Sequence, residues 1–403
     1  MIRKDLVKYV LKNMGNKKLR SFLTVISVVI GIAAITALVG FGQGISSYVE
    51  DIAQQMGEDK LLVQPRGFGL GPSVDSNIRL DATDVNAIEK VPSVAEASGV
   101  YMLSVEIMSH DQKRFTQAFG MDYKEHEQLI NEVYDLTLVA GKPLRGDEKS
   151  KAIFGYNYQL PEKIFKKSLK VGDKVKINNH TFEIAGFYES LGNPIDDASI
   201  YMTYDAAKML NAKNFHFIMV RTLPEESPSH VVQQVRKELL EHRNQKAGSE
   251  DFFVETFEQV IASFTSVLTI VTTVVLLIAC ISLIVASVNI TNTMYTSILE
   301  RTKELGVFKA VGARNRDIMG IVVLESGMLS LLGGIIGAAL GSGVALVAGK
   351  VVAAAGYAAF RPLVTWQLIL GVLLFSLLIG IIAGIFPAYQ ASKLRPVDAL
   401  RYE

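Results

Sequence analysis

Side chains able to do chemistry are present in this sequence, but their spacing does not assemble them. The six histidines, His110, His126, His180, His216, His230 and His242, are scattered along one stretch. They lack the H-E-x-x-H or other paired spacing of a zinc site, and are read as solvent-facing or core residues. No serine sits in a G-x-S-x-G elbow. Asp196 and Asp197, close after Pro194, read as a solvated turn rather than an acid/base pair. The single Cys280 excludes a disulfide framework and a cysteine-based metal cluster. A phosphate-cradling G-x-x-x-x-G-K-[ST] is missing: Gly349-Lys350 has Val344 where the leading glycine belongs, and Val351 follows. The pattern predicts a non-catalytic chain with no metal and no bound cofactor.

The most informative stretch is Ser297–Asp317, SILERTKELGVFKAVGARNRD. Its charged turn, Glu300 to Gly306, runs into the short apolar Val307–Ala313. Gly306 and Gly312 punctuate it, and each allows a helix end or a close backbone approach. A short amphipathic helix of this kind suits docking into a groove of a soluble partner. A solvated loop between helices fits the same residues.

The elements that carry this segment are set by hydropathy. Of 403 residues, 49% are hydrophobic and 20% charged, an apolar excess that must be concentrated somewhere. It lies in four runs, assigned as membrane spans at 22–43, 263–290, 318–349 and 366–389. About 20 apolar residues in a helix cross the hydrocarbon core. The first run is too long for a signal peptide and is read as an anchor. Lys and Arg crowd 1–21, 291–317 and 390–403, which places both termini and the 291–317 segment in the cytoplasm. The cytoplasmic segments then sum to +9, the long stretch between the first two spans to −9, the last outer loop to +2 and Glu325 to −1, so the overall +1 is a cancellation across a membrane. Near-neutrality argues against nucleic-acid binding. The basic inner face suits anionic lipid.

Residues 1–21 form an amphipathic helix suited to the inner leaflet, and 350–365 a short outer loop. Gly333, Gly337 and Gly341 in the third span, and Gly380 and Gly384 in the fourth, recur every four residues, a spacing that lets helices pack closely. Glu325 is the one acid embedded in apolar sequence; an interfacial position or contact with a neighbouring basic residue is expected. Between the first two spans, 44–262 reads as an α+β domain. Lys60–Gln64, the helix Asp81–Lys90 and Val94–Tyr101 form one strand–helix–strand unit. Phe215–Arg221, Ser229–His242 and Phe252–Val254 form another. The two define one subdomain from 44–105 and 215–262, around a β-rich insert at 106–214 that includes a hairpin turning at Asn178-Asn179.

Four segments, NKKLRSFLTVISVVIGIAAI at 16–35, ERTKELGVFKAVGARNRDI at 300–318, LESGMLSLLGGIIGAALG at 324–341 and FPAYQASKLRPVDALRYE at 386–403, resemble the FtsX-like/MacB-type permeases of ABC transporters. GKPLRGDE at 141–148, VGDKVKINNHTFEIAGFYESLG at 171–192 and DDASIYMTYDAAKML at 196–210 resemble the MacB-type extracytoplasmic core domain. The resemblance implies a multi-pass inner (cytoplasmic) membrane protein with four transmembrane helices and a large α+β extracytoplasmic domain between helices 1 and 2. It also implies a homodimer contacting through the first two spans, a pair of cytoplasmic ABC ATPase subunits holding ATP and Mg, and an outer adaptor or substrate. The ATPase-coupling helix would comprise Glu300, Arg301, Lys303, Glu304, Gly306, Lys309, Gly312 and Ala313. Proteins called MacB carry the ATPase on the same chain; with no nucleotide motif in this sequence, the ATPase is expected on another polypeptide. The implied function is mechanotransmission for export. Regulation of cell-wall hydrolases, as by FtsX, or lipoprotein extraction, as by LolC/LolE, are the alternatives.

Overall fold

The computed structural model describes residues 18–57, 59–66, 79–357 and 360–395. Most of the segment 1–21 and the tail beyond residue 395 lie outside them. In chain order the helices are α1 (Lys18–Met56), α2 (Ala82–Ile88), α3 (Glu127–Tyr134), α4 (Tyr204–Met209), α5 (Pro228–His242), α6 (Phe257–Glu300), α7 (Thr302–Ala310), α8 (Asn315–Ala354) and α9 (Trp366–Ser392). The strands are β1 (Lys60–Pro65), β2 (Val94–Ser109), β3 (Gln112–Met121), β4 (Leu138–Gly141), β5 (Lys151–Phe154), β6 (Lys174–Ile177), β7 (His180–Tyr188), β8 (Ile200–Thr203), β9 (Phe217–Thr222) and β10 (Phe252–Thr256). They divide into a helical unit and a sheet unit, the latter Ser47–Thr265 with Val352–Ala359.

In the helical unit, α1, α6, α8 and α9 are long and apolar enough to cross a membrane. No Gly or Pro interrupts Phe257–Glu300, so α6 runs unbroken through residues 291–300, which the charge pattern had placed in a loop. α8 lies against both α1 and α9, each time along a row of small residues. A Cβ on Gly333 would stand 2.8 Å from Val28 Cβ, on Gly337 2.9 Å from Ile32 Cβ, and on Gly341 2.5 Å from the Ala33 carbonyl. On the α9 side, a Cβ on Gly380 would stand 2.6 Å from the Ser326 carbonyl, and on Gly384 2.8 Å from Ser326 Cβ. Ser330 and Ser376 each donate their hydroxyl to the other's main-chain carbonyl, at 2.6 and 2.5 Å. Lipid offers no hydrophobic drive between helices, so this close approach and these hydrogen bonds hold the bundle.

In the sheet unit, the strand order β10-β1-β9-β2 with α2 and α5 is that of a split β-α-β fold. Asp81 caps α2, accepting from the Thr83 amide at 2.7 Å, while Asp84 accepts from the Asp81 amide at 2.9 Å, a reciprocal capping box. Arg243, at the end of α5, donates to buried Asp84 (2.6 and 2.9 Å) and to Asp251 (3.0 and 3.1 Å), tying α5 to α2 and to the approach to β10.

The 105/106 boundary expected between subdomains falls inside β2. The first half of that strand pairs with β9 (Val94–Val100) and its second half with β3 (Tyr101–Ser109). From there a ring of pairings runs β2-β3-β8-β5-β7-β6 and returns to β2 through Ile107↔Ile177 and Met108↔Lys176, a small closed barrel with β4 added beside β7. One apolar core runs through both parts, from Leu61 and Val63 through Tyr101 and Val105 to Phe154, Phe182 and Phe187. β6 and β7 turn at Asn178 and Asn179, with φ of +45° and +68°, and Asn178 Oδ1 accepts the Glu106 amide at 2.9 Å. Both central residues of a two-residue turn must take positive φ when it follows strand twist, and asparagine tolerates this.

Asp196 and Asp197 do not form a solvated turn. Asp197 is 4% exposed and accepts from Ser190 Oγ at 2.6 Å and the Leu191 amide at 2.8 Å; Asp196 accepts from Asn193 Nδ2 at 2.8 Å. Carboxylates satisfied by turn donors survive inside a fold, and sequence spacing does not distinguish this from solvation. Burial, with the Asp197 charge beside it, pushes the Asp196 carboxyl up.

Candidate functional site

α6 ends at Glu300 because Arg301 leaves helical geometry (φ −112°, ψ 16°), and α7 starts one residue later. The Arg301 guanidinium turns inward and donates to both carboxylate oxygens of Glu325 on α8, at 3.0 and 3.3 Å. Their side chains are 15% and 9% exposed. Glu325 thus meets a basic residue, as its apolar setting demands. Thr302 Oγ1 donates to the Ile298 carbonyl at 3.0 Å. At the other end of α7, Lys309 Nζ donates to the Ser392 and Leu394 carbonyls at 2.5 and 2.8 Å. The first is a carbonyl that α9 leaves unbonded at its C-terminus, and the second lies two residues past the helix. Gly312 (φ +103°) closes α7: the Ala313 amide reaches back to the Phe308 carbonyl at 2.9 Å, a turn for which glycine pays no steric cost.

Of the eight residues expected on the docking helix, Lys303, Glu304 and Gly312 are exposed along α7 and its end, and Glu300 is exposed at the end of α6. Arg301 and Lys309 turn into the bundle, Gly306 is buried, and Ala313 packs against the apolar core of the helical unit. The exposed face is completed by two residues that sequence reasoning did not single out, Val307 (47% exposed) and Val311 (85%). Positions 303, 307 and 311 fall on one side of a helix, so the four-residue spacing was the available signal.

In the sheet unit, Asp122, Glu125 and His126 bring potential ligand atoms within 4.8 Å of one another. The group escapes a motif search because it lies on an irregular turn. His126 Nδ1 is 3.1 Å from Glu96, and Asp122 Oδ1 accepts the Lys124 and Glu125 amides at 3.1 and 3.3 Å, so these atoms already have partners within the fold. Among the described residues no nucleophile–base–acid arrangement accompanies them.

The geometry thus defines a membrane protein whose distinctive surface is a short exposed helix between two long apolar ones. Comparison with known proteins agrees. The profile described as MacB-like periplasmic core domain matches residues 21–238, and that described as FtsX-like permease C-terminal matches 276–396. An uncharacterized ABC transporter permease of Methanocaldococcus jannaschii is 35% identical across 99% of this chain and 98% of its own length. The macrolide export ATP-binding/permease protein MacB of Vibrio parahaemolyticus is 30% identical across 98% of this chain, which spans 60% of that protein. The crystal structure of the periplasmic region of MacB from Actinobacillus actinomycetemcomitans matches with a TM-score of 0.43 and 16% identity, covering 54% of this chain and 97% of that one. The chain belongs to the MacB/FtsX-type family of ABC transporter permeases, with four membrane helices and a large α+β extracellular domain between the first and second.

Proposed function

We propose that this chain is the permease subunit through which a separate cytoplasmic ABC ATPase moves the extracytoplasmic domain, acting by mechanotransmission in export. The observation that carries the reading is the α7 face of Lys303, Glu304, Val307 and Val311, exposed on a helix whose opposite side is bonded into the bundle. Two valines exposed among charges are what a soluble partner's groove can bury. The Lys/Arg excess supports a cytoplasmic placement of this face and of both termini in the cell's inner membrane. ATP and Mg belong to the ATPase pair. A second copy of the permease completes the assembly, with the exposed apolar flanks of α1 and α6 available for that contact. An adaptor or the substrate itself meets the outer domain.

The test is co-purification with the partner ATPase from a Val311→Asp variant. At 85% exposure the substitution leaves the fold intact. Loss of the ATPase with unchanged melting of the permease is expected; full retention overturns the assignment of this face.

A further inference from the structure

We infer that Arg301 and Lys309 are positioning residues that fasten α7 at both ends, so that a displacement of α7 is delivered into α8 and α9 and not only along α6. The inference rests on the reading of α7 as the docking helix.

The helix that precedes α7 is not continuous with it. Arg301, between them, is out of helical geometry, so α6 and α7 are two rods joined at one non-helical residue rather than a single lever. A push on α7 transmitted through that joint alone would be absorbed by rotation about a few backbone dihedrals. The side chains supply the missing stiffness. At the front end, Arg301 reaches from the joint to Glu325, ten residues into α8, with two hydrogen bonds to one carboxylate. Both bonds come from the one nitrogen Nη1, so the contact is a charge-assisted pair that holds the joint close to α8. A cavity of about 10 Å³ bounded by Arg301, Glu325, Leu305 and Ile321 holds one water at most, so neither charge is solvated in place if the other withdraws. A desolvated pair of this kind is costly to open by removing one partner, unlike an exposed one. At the rear end, Lys309 sits on the last carbonyl of α9, that of Ser392, and on the Leu394 carbonyl just past the helix, where a cation is favoured by the helix dipole as well as by hydrogen bonding. Leu305, buried between the two anchors, fills the space under α7. The exposed docking side is therefore backed by Leu305 and Lys309 on α7 and by Arg301 at the joint before it, and the two charged anchors reach two different long helices.

α8 also lies along α1 through Gly333, Gly337 and Gly341, where the backbones approach too closely for any added side-chain carbon. A shift handed to α8 at Glu325 is therefore passed to α1 within the helical unit.

The experiment is hydrogen exchange of the full chain in lipid nanodiscs, first alone and then with its ATPase. In the chain alone, Glu325→Gln should speed exchange of the α7 amides at least tenfold, and the charge-swapped Arg301→Glu/Glu325→Arg should recover most of the protection. Lys309→Met should speed exchange of the last turns of α7 and α9, and exposed Arg316→Gln should change nothing. With the ATPase bound and trapped by vanadate, the wild-type chain should show altered exchange at residues 315–325 and 385–395. Glu325→Gln should retain the ATPase but lose that response. Exchange of α7 within twofold of wild type in both Glu325→Gln and Lys309→Met overturns the clamp. So does a vanadate response confined to α6 while the ATPase remains bound. Failure of the wild-type chain to bind the ATPase would instead count against α7 as the docking helix, and the measurements on the chain alone would still decide the clamp.

Discussion

Gly341 and Gly343 lie two residues apart on α8 and face different surroundings, which makes them a controlled pair. A Cβ at Gly341 would stand 2.5 Å from the Ala33 carbonyl oxygen and 2.8 Å from Thr36 Cβ. At Gly343 nothing lies within 4 Å. Both positions are interior to the same helix, so replacing glycine by alanine gains the same ~1 kcal/mol of helix propensity at each. Their difference isolates the packing term. The Ala33 oxygen belongs to the backbone of α1 and cannot rotate aside, so α1 and α8 must separate by up to about an ångström to restore ordinary contact. That separation would also loosen the contacts at Gly337 and Gly333. Overpacking of this size costs about 1–3 kcal/mol, which at ~1.4 kcal/mol per decade is roughly a 5- to 150-fold difference in the folding equilibrium. Reversible unfolding by sodium dodecyl sulfate in mixed micelles, followed through Trp366 fluorescence, measures both variants against the parent. Gly341→Ala should be less stable than Gly343→Ala by that margin. Two variants within ~0.5 kcal/mol of each other would refute the argument, since additive surface changes of that size need no packing explanation.

Two other outcomes follow from the sheet domain. His216 has its ordinary imidazole value lowered by burial, and its Nδ1 accepts the Met102 amide at 3.1 Å, so the fold holds it neutral. The folded value lies below the unfolded one, so its contribution is complete above about pH 6.5 and is lost as the pH falls below it. Protection of β2 and β9 amides, taken relative to the intrinsic exchange rate at each pH, should fall between pH 7 and 5, and less so in His216→Gln; equal pH profiles would exclude the residue as a cause. Asp197→Ala strands the Ser190 hydroxyl and the Leu191 amide, at about 1–3 kcal/mol for each unsatisfied donor. It should selectively deprotect residues 188–203, and protection equal to that of the parent chain would show that other acceptors replace the carboxylate.

Much of this architecture is local in origin and was readable for that reason. The apolar runs, the asparagine turn and the two strand–helix–strand units each rest on residues within a few positions of one another. What escaped the reading depends on contacts distant in sequence. Closure of the barrel joins Ile107 to Ile177, a pairing that no local periodicity encodes. The Arg301–Glu325 bond spans 24 residues and two helices, and it removes from the docking face a residue that its charge alone would have placed there. Val307 and Val311 were legible as a spacing, but only the burial of Leu305 and Gly306 on the other side of the turn gives that spacing its direction. The buried Asp196-Asp197 turn escaped for a different reason: its hydroxyl and amide donors come from the residues just before it, and their geometry, not their identity, decides whether water is needed.

The position of β1 has a consequence for biogenesis. Among the described residues its strand partners are β9 and β10, which leave the ribosome more than 150 residues later. At about 5–20 residues per second, the apolar strand waits roughly 10–30 s for either neighbour. The β2–β3 hairpin and the barrel strands that follow it are complete before then, because their pairings lie within residues 101–203. Synthesis therefore favours a fixed order in which the barrel closes first and the split β-α-β sheet last. The newborn chain carries an unpaired apolar edge attached to a lone membrane helix for more than a third of its translation, a substrate for holdase chaperones on the far side of the membrane and a natural checkpoint for quality control.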